Sequence, residues 1–356
     1  MSGVDIVEVG ARTPVGLTAE TSAAAVRAGI SRGRMFPFVT PRGEPIIVAS
    51  DSCLAPELEG RDRMLPLVES VLDEVISAFE TNALGQVSVL LVLPEARPGF
   101  SDSDAEWLVA GVRACLASWN FPAQVAVAGR GHAGGIQAVG QAIIEAGRNG
   151  DALFIIVGVD SYHHRHTFVW LEGERRLSEP GVRSGFMPGE GAGCLVLASP
   201  GWRKVRQMPR LAVVHSACTA KETLLRDSES GSFGVGLSQA VTAATAAAGV
   251  RLPDEAADAE YIDINGERYR SEEFGFVALR VPSAFRSFNY LAPADCWGDV
   301  GAAFAPLAAV LAVRSFARGY ARGPRALVLA GSDSGLRGAM WIEDVRGKAE
   351  KGAGTR

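Results

Sequence analysis

Residues 125–161, VAVAGRGHAGGIQAVGQAIIEAGRNGDALFIIVGVDS, constrain this chain more than any other stretch. They read as a sharp glycine-rich turn, a buried helix and a buried strand. Glycines at 129, 131, 134 and 135 let the backbone take positive φ and pack closely, and residues 133–147 then carry small and apolar side chains nearly all round, as a helix inside a domain does. Asn149 and Gly150 end that helix. The run 152–159 is short, β-branched and bounded by Gly and Asp, which predicts a central strand covered on both faces. His132, at the turn, is thereby directed into the interior by the helix N-terminus.

The same pattern continues on both sides. Strands are predicted at 4–9, 87–93, 191–198, 211–217, 260–264, 325–330 and 338–343, and helices at 19–28, 62–79, 102–119, 236–248 and 298–317. Residues 37–45 read as loop and 162–184 as a polar, aromatic segment. The alternation argues for α/β architecture with largely parallel sheets. With 47% hydrophobic residues over 356 positions, the chain can bury a large core.

The halves echo one another. Helix, basic turn, strand and Gly-Val-Asp-Ser (158–161) are answered by helix, residues 322–325, strand and Gly-Ser-Asp-Ser (331–334), and a glycine-rich turn precedes each helix, at Gly131-His132 and at Gly298-Asp299. Two copies of one α/β unit stacked in pseudo-symmetry would oppose His132 and Asp299. The division this implies is 1–200, 201–345 and a loose tail at 346–356.

Other classes are set aside by composition. A net charge of −5, with basic residues scattered rather than striped, gives no nucleic-acid surface. No apolar run reaches the roughly 20 residues of a membrane span, and residues 1–16 have acids where a secretion signal needs a basic region and an apolar core, so a cytoplasmic protein is expected. Five irregularly spaced cysteines and no Cys-x-x-Cys suggest neither a disulfide framework nor structural zinc. His163, His164 and His166 alternate across faces without a nearby Cys, a poor metal site, and Gly129-Arg-Gly131 lacks the spacing of a dinucleotide site. No cofactor is expected.

Residues 183–193, RSGFMPGEGAG, followed by CLVLA, resemble the Arg-x-Gly-Phe-x-x-Gly-Glu-Gly-Ala-Gly motif of the β-ketoacyl synthases, within the thiolase superfamily. Thr13-Pro-Val-Gly16 is similar to that family's opening turn and residues 331–339 to its late glycine-rich loop. The resemblance covers about residues 4–343. It implies a five-layered αβαβα sandwich of two pseudo-symmetric halves, usually dimeric. At the family's reactive positions the residues differ. Aligning Gln137-Ala-Val-Gly-Gln-Ala142 puts His132 where ketosynthases carry the acyl-bearing cysteine. Asn265, in YIDINGER, stands for the first catalytic histidine, and Asp299, in WGDVGAA, for the second. The supporting lysine falls near Ala294.

Condensation by this fold needs a thiolate favoured by the helix N-terminus and two imidazoles for the oxyanion and decarboxylation. His132 cannot hold a thioester, and the helix dipole predicts a neutral imidazole there. It either fills space left by a nucleophile or acts as a base with Asp299 and Asn265 as orienting groups, both of which could equally be structural. Cys296 is a candidate displaced nucleophile or an inert buried thiol. Glu190 is expected to brace glycine-rich backbone. The resemblance therefore implies fatty acid or polyketide-type metabolism and two principal roles. One is a chain-length-factor-like partner or acyl-binding scaffold that does not condense by itself; the other is an acyltransferase or thioester hydrolase using His132. Its partners would be acyl carrier protein or acyl-CoA, in a homodimer or a heterodimer with a cysteine-bearing ketosynthase. Residues 218–233 are expected near the pocket, and residues 335–337 are open as its gate.

Overall fold

The computed structural model describes residues 3–345 apart from 40–42, 44, 80–84, 86 and 180–181; the predicted tail at 346–356 lies outside them. The first half runs β1 (Val4–Arg12), α1 (Ala19–Arg27), β2 (Gly33–Val39), β3 (Pro45–Ala49), α2 (Arg61–Ile76), β4 (Val87–Leu93), α3 (Asp102–Ser118), β5 (Ala123–Arg130), α4 (Gly134–Arg148), β6 (Leu153–Ser161), α5 (Arg165–Gly173) and β7 (Glu190–Ala198). The second runs α6 (Pro200–Val205), β8 (Ala212–Lys221), α7 (Val235–Ala248), β9 (Ala259–Ile262), α8 (Arg268–Arg280), β10 (Tyr290–Leu291), α9 (Ala294–Trp297), α10 (Phe304–Ala317), β11 (Arg325–Gly331) and β12 (Leu336–Glu343).

Ten strands form one sheet in the order β10-β9-β11-β12-β8-β1-β7-β6-β4-β5. Apart from the separate β2-β3 ribbon, each half places its strands in the same order, third, second, fourth, fifth, first. The halves join where β1 pairs with β8, from Val4 opposite Val214 to Ile6 opposite Ala212. The expectation of largely parallel sheets is corrected: in each half three strands pair in parallel, and the last strand folds back antiparallel onto the others and onto the first. Strand-to-strand returns such as 331–336 are too short for a parallel crossover, which needs about a dozen residues.

Three apolar cores define five layers. One lies between α2 and α3 and the outer face of the first half, a second between α7 and α8 and the outer face of the second, and a third, around α4 and α10, fills the space between the two inner faces. This is the αβαβα thiolase-like sandwich. Close approach sets its glycines: a Cβ on Gly158 in β6 would lie 2.5 Å from the Ala302 carbonyl oxygen and 3.2 Å from Ala303 Cα.

Helix α4 is buried through its first half, but its second half turns an open face outward, with Ile144 52% exposed. The expected all-round burial fails there because α4 packs on β5, the edge strand of the sheet, whose Val127 is 40% exposed. Residues 37–39, expected as loop, extend β2. The predicted helix at 298–317 begins later: Gly298 has φ +74°, a short 3₁₀ turn occupies Gly301–Ala303, and α10 starts at Phe304.

Candidate functional site

His132 sits two residues before α4, after Gly131, whose φ of +67° turns the chain off β5. The imidazole is 5% exposed. Its Nε2 lies 2.8 Å from Asp299 Oδ1, across the junction of the two halves. Asp299 is held from both sides: its backbone N–H donates to Met187 and its carbonyl accepts from Gly189, so the motif at 183–193 positions it. Its Oδ1 also accepts from Gly301 N at 2.8 Å and its Oδ2 from Asn265 Nδ2 at 2.5 Å. His132, Asn265 and Asp299 thus meet in one hydrogen-bonded cluster.

Arg270, from α8, brings a second cation to the same place. Its Nη2 is 3.4 Å from His132 Nε2, while its Nη1 donates to Asp263 and to the Gly331 carbonyl at 2.8 Å. Because the contact to Asp299 is much the shorter, the Nε2 proton is assigned as donated to that carboxylate, and Arg270 is a neighbouring charge rather than a donor to His132. Burial alone would push His132 toward the neutral ring and Arg270 adds to that, yet the Asp299 carboxylate outweighs both and holds the imidazole above its ordinary 6.5. Asp299, although buried, is driven well below the usual carboxylate range by His132 and Arg270. The helix N-terminus is therefore not what sets this imidazole: the Asp299 carboxylate favours its protonated form.

More arginines close the surroundings, none of which stood out in the sequence. Arg176 makes a two-pronged pair with Glu267 at 2.7 and 2.9 Å and also binds Asp333 at 2.6 Å. Arg97 binds Asp160 and the Ser161 carbonyl and lies 4.1 Å over the Tyr162 ring. A cavity of about 110 Å³ remains beside His132, lined by Glu95, Arg97, Asp160, Tyr162, Trp170 and Asp333 among others. Beyond it opens a polar cleft of about 470 Å³ along residues 228–233, as expected for part of the 218–233 stretch. Arg176, Glu267 and Tyr269 line the cleft and Asp333 the cavity; the bonds from Arg176 and Tyr269 to Asp333 form the partition between them. The suggested gate at 335–337 is not one: Arg337 is fully buried and clamped to Glu273 at 2.6 and 2.7 Å.

None of the described cysteines lines the His132 cavity. Cys296, in α9, packs in the central core, and burial and Asp295 hold its thiol protonated. Glu190 accepts from Arg63, Ser161 and the Asp51 N–H, an ion-paired brace rather than a prop for glycine backbone. His163 is buried against Phe36 and Phe168, with its pKa pushed down to about 4 by burial, while His164 contacts Glu59 and the His166 N–H. No group of three or more potential metal ligands occurs among the described residues.

No protein-family model matches the chain, and no curated protein sequence matches it. Solved structures do match in fold over nearly its whole length. A chain of the ishigamide ketosynthase/chain length factor is 16% identical with a TM-score of 0.77, covering 97% of this chain and 99% of that one. A chain from a type II polyketide acyl-carrier protein complex with its ketosynthase is 12% identical with a TM-score of 0.79, covering 97% and 99%. A chain of the ketosynthase and chain length factor complex of Xenorhabdus doucetiae is 15% identical with a TM-score of 0.75, covering 97% and 98%. The fold is that of the thiolase-like ketosynthases.

Proposed function

We propose that this chain is a non-condensing partner of a ketosynthase, of the chain-length-factor kind, in polyketide-type synthesis on an acyl carrier protein. The observation that carries this reading is the His132–Asp299 ion pair at the tip of α4, where the resembling family needs a thiolate. An imidazole bound to a buried carboxylate supplies no thiol to carry an acyl chain. The adjoining cavity of about 110 Å³ is also well below the roughly 300 Å³ at which ligand pockets begin, which favours a partner over an acyl-holding scaffold. The open edge of β5, with Val127 exposed, supports pairing with a second, cysteine-bearing subunit, since an uncovered edge strand is a template for another chain. Mixing the protein with acyl and malonyl carrier protein tests this. No condensation is expected from the chain alone, with activity only alongside a co-purifying ketosynthase; carbon–carbon bond formation by the chain alone would overturn it.

One observation favours a second reading, acyl transfer or thioester hydrolysis. A histidine 2.8 Å from a buried aspartate is the arrangement of a base and its orienting group. Thiol release from an acyl thioester that disappears in His132→Ala would support it, and release unchanged in that variant would remove it.

A further inference from the structure

A second cavity, of about 220 Å³, shares no residue with the His132 cavity or the polar cleft. It lies between α1, α10, the β9-β10 edge and the turn after α10. Val26, Leu291 and Leu311 form apolar walls, and the floor carries two hydroxyls, Tyr261 Oη and Ser315 Oγ, 3.2 Å apart. Burial pushes the Tyr261 phenol up to about 12, so it remains a neutral hydroxyl. Two exposed guanidiniums stand at the mouth. Arg27 stacks 4.3 Å over the Tyr320 ring, and Arg322 donates to the Asn289 carbonyl. Neither forms a salt bridge among the described residues, although Arg322 acts on the buried Glu260 carboxyl, which also lines the cavity, and the neighbouring Arg314 and Arg318 are both paired with Glu20.

A concave apolar chamber with a few convergent polar groups has the form of a small-molecule site, and at about 220 Å³, under the roughly 300 Å³ of drug-sized pockets, it suits only a smaller molecule. Burial pushes the Glu260 carboxyl up to about 8, which leaves the charge at the opening positive near neutral pH. The volume equals that of roughly seven waters in the liquid, enough for a molecule of about eight to eleven non-hydrogen atoms at interior density.

We infer that this cavity binds a small carboxylic acid, its apolar body between Val26 and Leu311 and its carboxylate on Arg27 and Arg322. Guanidinium and carboxylate form charge-assisted hydrogen bonds, which are the strong ones, while the hydroxyl floor limits the depth of a wholly apolar tail.

Calorimetric titration of the full chain with hexanoate, 3-phenylpropionate and hexylamine tests the site. Binding of at least one acid at millimolar or lower concentration is expected, with no binding of the amine. Arg27→Gln and Arg322→Gln, both at the exposed rim, are expected to weaken the acid by about tenfold or more, and Arg27→Gln to do so without lowering the melting temperature. Leu311→Trp, which fills the chamber, is expected to abolish binding; if that variant fails to fold, the two rim variants still decide. Absence of heat with both acids up to about 10 mM, equal binding of hexylamine, or unchanged affinity in both arginine variants overturns the inference.

Discussion

Glu260 supplies the strongest stability prediction. It lies in β9 opposite Leu327 of β11 and is 1% exposed with no hydrogen-bond partner on either carboxyl oxygen. Burial, with a smaller push from Asp258, raises its pKa from 4.5 to about 8, and Arg322 only partly offsets this. The unfolded chain ionises this group near 4.5 and the folded chain resists doing so. The penalty on folding is therefore absent below about pH 4.5, grows through the interval, and is complete above about pH 8. At about 1.36 kcal/mol per pH unit, the upper bound is about 3 kcal/mol at pH 7 and about 5 kcal/mol above pH 8. Relaxation and water penetration reduce such figures, so a loss of about 2 to 4 kcal/mol between pH 5 and pH 9 is expected from this residue. Replacing Glu260 with Met, similar in length and apolar, removes it. Urea denaturation of both proteins at pH 5, 7 and 9 should show Glu260→Met the more stable, by an increment that widens with pH. An increment that is flat or narrows as pH rises would refute the reasoning, because a satisfied or solvated carboxyl gives that result.

Further outcomes follow from the ion-paired centre and from close packing. An imidazole NMR titration should place the His132 pKa above 6.5 and, in Asp299→Asn, below it, since burial and Arg270 remain. The His132 contribution is full below pH 6.5 and fades as pH rises through the raised value, so Asp299→Asn should destabilise more at pH 6 than at pH 9, by about 3 to 5 kcal/mol at the lower pH. Arg176→Met leaves Glu267 to Asn265 and Arg270, and Asp333 to Tyr269 and solvent, and should cost about 1 to 3 kcal/mol in denaturation, with part of the loss recovered by adding Glu267→Gln. Gly158→Ala forces a methyl against the backbone of Ala302 and Ala303 and should cost about 1 to 3 kcal/mol in the same assay. Val127→Lys, on the β5 edge, should leave the melting temperature within about 1 °C and reduce co-purification with a ketosynthase partner.

What was legible in the sequence was what periodicity and glycine placement encode. Short apolar runs marked β4, β6 and β11, and the repeated turn and Gly-x-Asp-Ser signature set residues 132 and 299 opposite each other. What was hidden were contacts between distant charges. Helix α8, RYRSEEFGFVALR, buries Tyr269, Arg270 and Glu273 along with Phe274 and Val277, so its inward face is half polar and shows no apolar stripe. That face delivers Arg270 to His132 across 138 residues of chain, and Arg176 meets Asp333 across 157. No local pattern announces a pair whose partner is that far away; only the fold reveals that an exposed-looking arginine is a core residue.

The protonation of His132 shows how magnitudes decide between two sound arguments. A helix N-terminus carries roughly half a positive charge, spread over its unsatisfied N–H groups, and acts against an imidazolium. In α4 that field is partly neutralised, because Ala133 N–H already donates to Ser332 Oγ at 3.0 Å. Against it stands a whole negative charge at 2.8 Å, in a site where water is excluded and Coulomb interactions are strong. Asp299 cannot relieve the attraction by taking up the proton itself, since Gly301 N–H and Asn265 Nδ2 bind its ionised form. The end of α4 that would favour a thiolate therefore faces a carboxylate that favours a protonated imidazole. A single exchange of His132 for Cys would leave Asp299 facing a developing thiolate, a like-charge contact that raises the thiol pKa. On the non-condensing reading proposed above, a thiolate at residue 132 would require changing residue 299 as well.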